Sequence, residues 1–284
     1  MSGPPPTRPG PKLAAPGRPI SRKISTPKKT FTVEPWTGAG EGKKILLYAD
    51  FGMGKTTLAA MLPNPAFIGI DDGGRLIKHP VTGADLMRVP QVETFDDVRA
   101  VLQTPSVFDS FDTVVIDTVT DLEKWALPYM FQHVHGPKGS MCQNIEGYGY
   151  NKGYRHLYDT MGLILQDCES LVRAGKNVVF IAQNKNIKVA NPAGDDYLRD
   201  GPSLYSGTPS IVDQYCEWVD YILKIGYSYV TVEAKKAAGS TERVIYTQPE
   251  VYFIAKSRTS LDAEVPFSEP SDDTIWRTLF DVDA

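Results

Sequence analysis

The chain has 284 residues, room for one large domain or two small ones. Hydrophobic residues make up 42% and charged residues 23%, ordinary globular composition with enough apolar mass for a real core. The net charge is −4, no apolar run approaches the roughly 18 residues of a membrane span, and no apolar signal segment opens the chain. These features read as a soluble protein with no membrane partner. Three widely spaced cysteines, Cys142, Cys168 and Cys216, with no CxxC pair, argue against a disulfide scaffold or a zinc site and point to a reducing, cytoplasmic compartment.

Residues 1–33 carry seven Lys or Arg and no acid, so subtracting them from the net −4 leaves −11 on residues 34–284. The first thirty residues also hold eight prolines and almost no large apolar side chains. Such a segment cannot bury enough surface to offset its ordering entropy. We therefore expect a disordered basic Pro-rich tail over 1–33 and one folded domain over 34–284. A basic arm on an acidic body suits a nucleic-acid binder, and a solvated tail has the same composition.

Beyond the tail, short apolar runs alternate with helical patterns. KKILLYA (43–49) reads as a buried strand, followed by helical KTTLAAML stopped at Pro63. AFIGI (66–70) is a second buried run ending in Asp71 and Asp72. A helix is expected over Thr94–Gln103, a strand over DTVVID (112–117), and a helix from there to about Val134. Residues 154–174 form an amphipathic pattern with Leu157, Met161, Ile164, Leu165, Cys168 and Leu171 on one face. NVVFIAQ (177–183) is a fourth strand. Continuous apolar strands separated by helices predict an α/β fold with a mostly parallel central sheet flanked by helices. Residues 184–209 read as a long polar loop. WVDYILKI, SYVTVEA, RVIYT and VYFIA read as an antiparallel C-terminal extension of the same sheet.

The segment Ala49, Asp50, Phe51, Gly52, Met53, Gly54, Lys55, Thr56, Thr57 follows the first strand and opens a helix. It matches the P-loop pattern GxxxxGK[ST] at Gly54, Lys55 and Thr56. In such a loop backbone N–H groups wrap phosphate, the Lys reaches the outer phosphates and the Ser/Thr hydroxyl holds Mg²⁺. Ala49 stands where the pattern has its first Gly, which requires φ < 0 there. A carboxylate at the tip of a neighbouring buried strand would complete the metal site, and Asp117 after TVVI fits; a helix-capping Asp would occupy the same tip. Asp71 and Asp72 are candidate catalytic acids, with Asp72 slightly favoured, although the following Gly-Gly also reads as a turn. The expected cofactors are ATP and Mg²⁺. Tyr148, Tyr150, Tyr154 and Tyr158 cluster with Lys152 and Arg155, a composition that serves either base stacking or helix packing. His133 and His135 lack further ligands at metal spacing.

Together these residues resemble the RecA-like P-loop ATPases, most closely the phage-encoded branch of single-strand annealing and recombination ATPases, over about residues 43–260. The resemblance rests on the P-loop, IDDGG (70–74), VVID (114–117), VVFIAQ (178–183), GPSL (201–204) and AKSRT (255–259). It implies that Gln183 senses the γ-phosphate and that Lys256 and Arg258 serve a neighbouring subunit's nucleotide. It also implies that the loop after Gln183 contacts DNA. The partners it implies are single-stranded DNA, further copies of the chain in a ring or filament, and a single-strand DNA-binding protein. Asp in place of Glu after the second strand departs from that family. Two other classes fit a P-loop, a small-molecule kinase and a nucleotide-gated scaffold.

Overall fold

The computed structural model describes residues 40–228, 230–233, 236–239 and 241–280, with isolated positions at 3, 33, 35, 37 and 38. Every described element lies within the unit Gly38–Ala284. The expected basic tail lies outside the described residues, apart from those isolated positions.

Four strands make the parallel centre: β1 (Lys44–Ala49), β2 (Pro65–Gly69), β3 (Thr113–Asp117) and β4 (Asn177–Val189). A fifth parallel strand, β6 (Tyr221–Tyr227), follows β5 (Tyr197–Pro202) in the chain. Among the described residues β7 (Val230–Glu233) and β8 (Lys236–Gly239) form a two-stranded sheet of their own, while β9 (Arg243–Tyr246) and β10 (Glu264–Pro266) add antiparallel to the β6 edge. The strand order is β10-β9-β6-β1-β4-β3-β2, with β5 on the outer part of β4.

Helices cover both faces: α1 (Lys55–Ala60), α2 (Phe95–Leu102), α3 (Val119–His133), α4 (Lys152–Arg173), α5 (Ile211–Trp218) and α6 (Thr274–Phe280). Because successive side chains of a strand point to opposite faces, β1 feeds two cores at once. Leu46 and Tyr48 pack with α2–α5, and Ile45, Leu47 and Ala49 pack with α1 and α6. All five are fully buried, each large aliphatic contributing about 1.5–3 kcal/mol by removal from water. This explains why the strand is apolar without alternation. Helix starts are set by side chains that satisfy free N–H groups. Thr94 and Asp97 form a reciprocal capping box on α2, and Thr118 accepts the Asp121 N–H at the start of α3.

Two regions differ from the sequence-based expectation. The segment after Gln183 is not simply a loop: β4 continues to Val189 and pairs antiparallel with β5, from Asn184↔Pro202 to Val189↔Tyr197. Its alternation of polar residues with Ile187 and Val189 suits a half-buried hairpin. At the C-terminal end, β6 is parallel to β1 rather than part of the antiparallel extension, β7 within SYVTVEA pairs with β8 in a small sheet of its own rather than extending the main one, and VYFIA is not a strand. That segment runs irregularly, with isolated bridges Asp200↔Phe253 and Ile222↔Lys256. Its apolar character comes from buried Phe253 and Ala255, while Val251 and Tyr252 stay exposed.

Candidate active site

β1, β2 and β3 end level with Gln183 inside β4. Register places Ala49 beside Gln183, Ile181 beside Asp117 and Asp117 beside Gly69. One end of the parallel strands therefore gathers the loops after β1, β2 and β3 around Gln183, the usual place for a ligand in an open α/β sheet.

The loop after β1 turns on two glycines, Gly52 at φ 76° and Gly54 at φ 92°. Gly54 is needed twice over, since a Cβ there would also come within 2.9 Å of Arg243 Nη1. Ala49 ends the strand and is not among the positive-φ residues, so it meets the condition its side chain imposes. Asp50 is tied across the loop, its Oδ1 accepting from Asn184 Nδ2 at 3.0 Å. Phe51 is exposed and Met53 is buried beneath the loop.

Lys55 opens α1 and is 8% exposed. Its Nζ donates to the carbonyls of Ala49 at 3.2 Å and Asp50 at 3.0 Å, and to Gln183 Oε1 at 2.9 Å. Burial lowers its pKa, opposed by the nearby charges of Asp117, Asp50 and Asp71. Thr56 Oγ1 donates to Asp117 Oδ2 at 2.7 Å. Burial raises the Asp117 pKa to about 6, with the Thr56 hydrogen bond opposing and Asp71 adding to the rise. Gln183 is anchored through its N–H, which donates to Thr120 Oγ1 at 3.0 Å.

A cavity of about 290 Å³ is lined by Phe51, Gly52, Gly54, Lys55, Thr56, Thr57, Asp71, Asp117 and Gln183, among others. Of the adjacent acids, Asp71 lines it, and Asp72 lines only neighbouring cavities, beside Arg75 and Arg88 in one of them. The order of preference drawn from the sequence therefore reverses on geometry. Asp71 also closes a small turn, its Oδ1 accepting the Gly73 N–H at 3.0 Å.

Lys256 and Arg258 are not brought to this cavity. Lys256 bridges to Ile222 near the start of β6, beside the start of β1, at the opposite end of the strands from the P-loop. Its Nζ donates to the carbonyls of Cys216, Glu217 and Val219 at the C-terminal end of α5, where a helix favours a cation. Arg258 pairs with Asp220 at 3.0 Å and is exposed. Of the tyrosines, Tyr148 is a packing residue, buried with its hydroxyl on the carbonyls of Met130 and Val134. Tyr154 stacks on Tyr205 at 4.4 Å, Arg155 lies over Tyr158, and Tyr150 is 94% exposed.

Sequence reasoning missed Asn184, Thr120 and Arg243. Arg243 Nη1 donates to the Met53 carbonyl at 3.1 Å across 190 residues of chain. No local pattern could have signalled that contact.

A P-loop between a buried strand and a helix, with a buried carboxylate on its threonine, defines a P-loop nucleotide-binding domain on a mostly parallel α/β sheet. The family model described as "AAA domain" matches residues 41–259, and the chain belongs to that family of P-loop ATPases. Among solved structures, it is similar to a KaiC-like protein from the hyperthermophilic archaeon Pyrococcus horikoshii OT3. That likeness has 12% identity and a TM-score of 0.44, over 81% of this chain and 88% of the other. No curated protein matches. Among the described residues, no helix is long and apolar enough to cross a membrane.

Proposed function

We propose that this chain binds and hydrolyses ATP with Mg²⁺, and that it acts as an assembly on single-stranded DNA in recombination, annealing or replication. The observation that carries the hydrolysis reading is the convergence of Lys55, Thr56–Asp117, Asp71 and Gln183 on one cavity at the strand tips. The N–H groups of the loop would take the inner phosphates, and Lys55 would neutralise the outer ones. Thr56 and Asp117 offer two hard oxygens already 2.7 Å apart, which suits Mg²⁺, an ion that needs few protein ligands because it keeps waters and phosphates. When bound, that ion would neutralise charge on the transferring phosphoryl group. Asp71 is the acid placed to orient or deprotonate water, and Gln183, held by its backbone to Thr120, reports what Lys55 contacts.

The DNA reading is supported by the seven cations of the tail, the exposed Tyr150 and the β4–β5 hairpin that continues directly from Gln183. Action on a neighbour is supported by Arg258, exposed and remote from its own P-loop. The test is phosphate release with and without single-stranded DNA, with Lys55→Ala as the control. We expect turnover that DNA raises and that the variant lacks. No phosphate release under either condition sinks hydrolysis, whereas release indifferent to DNA sinks only the DNA reading.

A further inference from the structure

Behind the P-loop, on the side away from the phosphate cavity, lies Arg243 on β9. Its guanidinium rests 4.5 Å over the Phe267 ring, which is fully buried. From there Nη1 reaches the Met53 carbonyl at 3.1 Å. The backbone is fixed as well, because the Phe267 N–H donates to the Arg243 carbonyl at 2.9 Å. Arg243 does not line the phosphate cavity, whereas Gly52, Gly54, Lys55 and Thr56 do.

The 53–54 peptide is not among the cis bonds of the described chain. In a planar trans peptide the carbonyl oxygen and the following N–H point in opposite directions. Holding the Met53 carbonyl outward therefore turns the Gly54 N–H toward the concave side of the loop, where a P-loop receives phosphate. We infer that Arg243 is a positioning residue for the nucleotide site: from Phe267 it locks the 53–54 peptide so that the Gly54 N–H is preset toward phosphate. The inference rests on the nucleotide reading of the loop. It makes the C-terminal strands part of the binding site, although they supply no group that touches phosphate.

Arg suits the task because its planar fork can lie on an aromatic face and still donate at its edge. Lys keeps the charge and can still donate from its ammonium group but has no plane to lie on the ring. With Ala in its place, Met53 and Gly54 lose the restraint, and the loop must order itself as nucleotide binds.

The experiment measures ADP affinity by calorimetry, KM and kcat for ATP, and the thermal midpoint of nucleotide-free protein, for wild type, Arg243→Ala, Arg243→Lys and Phe267→Leu. We expect Arg243→Ala to weaken ADP binding and raise KM about tenfold, the loss of one charge-assisted hydrogen bond. We expect kcat within about twofold, since that bond is equally present in ground and transition states. Arg243→Lys should recover part of the affinity, and Phe267→Leu should lose part of it. Wild-type affinity in Arg243→Ala overturns the inference, as does a kcat that falls with KM unchanged. If Arg243→Ala does not fold, Arg243→Lys and Phe267→Leu decide, and wild-type affinity in both overturns it. Wild-type protein that binds no nucleotide overturns the nucleotide reading itself, a result separable from the others.

Discussion

Buried Asp117 accepts a hydrogen bond from half-buried Thr56, and charge on a buried carboxylate is costly unless a cation meets it. Asp117→Asn keeps the volume and an acceptor for Thr56 but removes the charge. It should lower ATP turnover on the order of a hundredfold while changing nucleotide affinity much less. Turnover at the wild-type rate would remove Asp117 from the metal site. Glu123 offers a stability test away from the chemistry. Burial raises its pKa, opposed by the Tyr205 N–H on Oε1 at 2.8 Å and by the charge of Lys185. A carboxylate whose folded pKa is raised binds protons more tightly in the native state, so its contribution falls as pH rises above the ordinary value and through the folded one. Glu123→Gln keeps the acceptor for Tyr205 and cannot ionise. Its thermal midpoint should decline less steeply than wild type over that window, and parallel declines would show that Glu123 pays no burial cost.

The β4–β5 hairpin shows what was legible in the chain and what was not. Strands buried on both faces announce themselves as unbroken apolar runs, which is why β1, β2, β3 and the first half of β4 could be placed, and with them Lys55, Thr56, Asp117 and Gln183. The second half of β4, NKNIKV, is paired on one side and half-buried, with Asn186 and Lys188 exposed. Its composition is that of a loop, and only the pairing partner makes it a strand. VYFIA misled in the opposite direction, because burial of Phe253 and Ala255 was achieved without a ladder. Asp71 and Asp72 were legible as the end of an apolar run, whereas Arg243 reaches Met53 across 190 residues and had no local signature. Val189 and Tyr197 lie directly opposite, so residues 190–196 can be replaced by an Asn-Gly turn without disturbing the register. If the hairpin meets DNA, this variant should keep basal ATPase within about twofold and lose DNA stimulation. Full stimulation would free the hairpin of that role.

For the whole molecule, the question is whether one copy suffices. Arg258 sits at the far end of β6 from its own P-loop, paired with Asp220, so the proposed action on hydrolysis would be on a neighbour's nucleotide. Arginines supplied in this way contribute about 10³–10⁵ in rate elsewhere. Arg258→Ala alone should be nearly inactive, yet mixing it with Lys55→Ala subunits should restore some turnover, since one supplies the P-loop and the other the arginine. No recovery across mixing ratios, with co-assembly shown separately, rules out action in trans. Near-normal activity of Arg258→Ala alone would leave the residue with only its ion pair to Asp220. The sheet order carries a further consequence, for synthesis. β1 is the first strand made, but its two neighbours, β4 and β6, begin at residues 177 and 221. Loop closure over such separations is slow. An emerging chain that ends before residue 221 carries the P-loop strand with one edge unpaired, and open apolar edges invite pairing with other chains. Truncations that end before residue 221 should therefore yield aggregates rather than a smaller nucleotide-binding fragment.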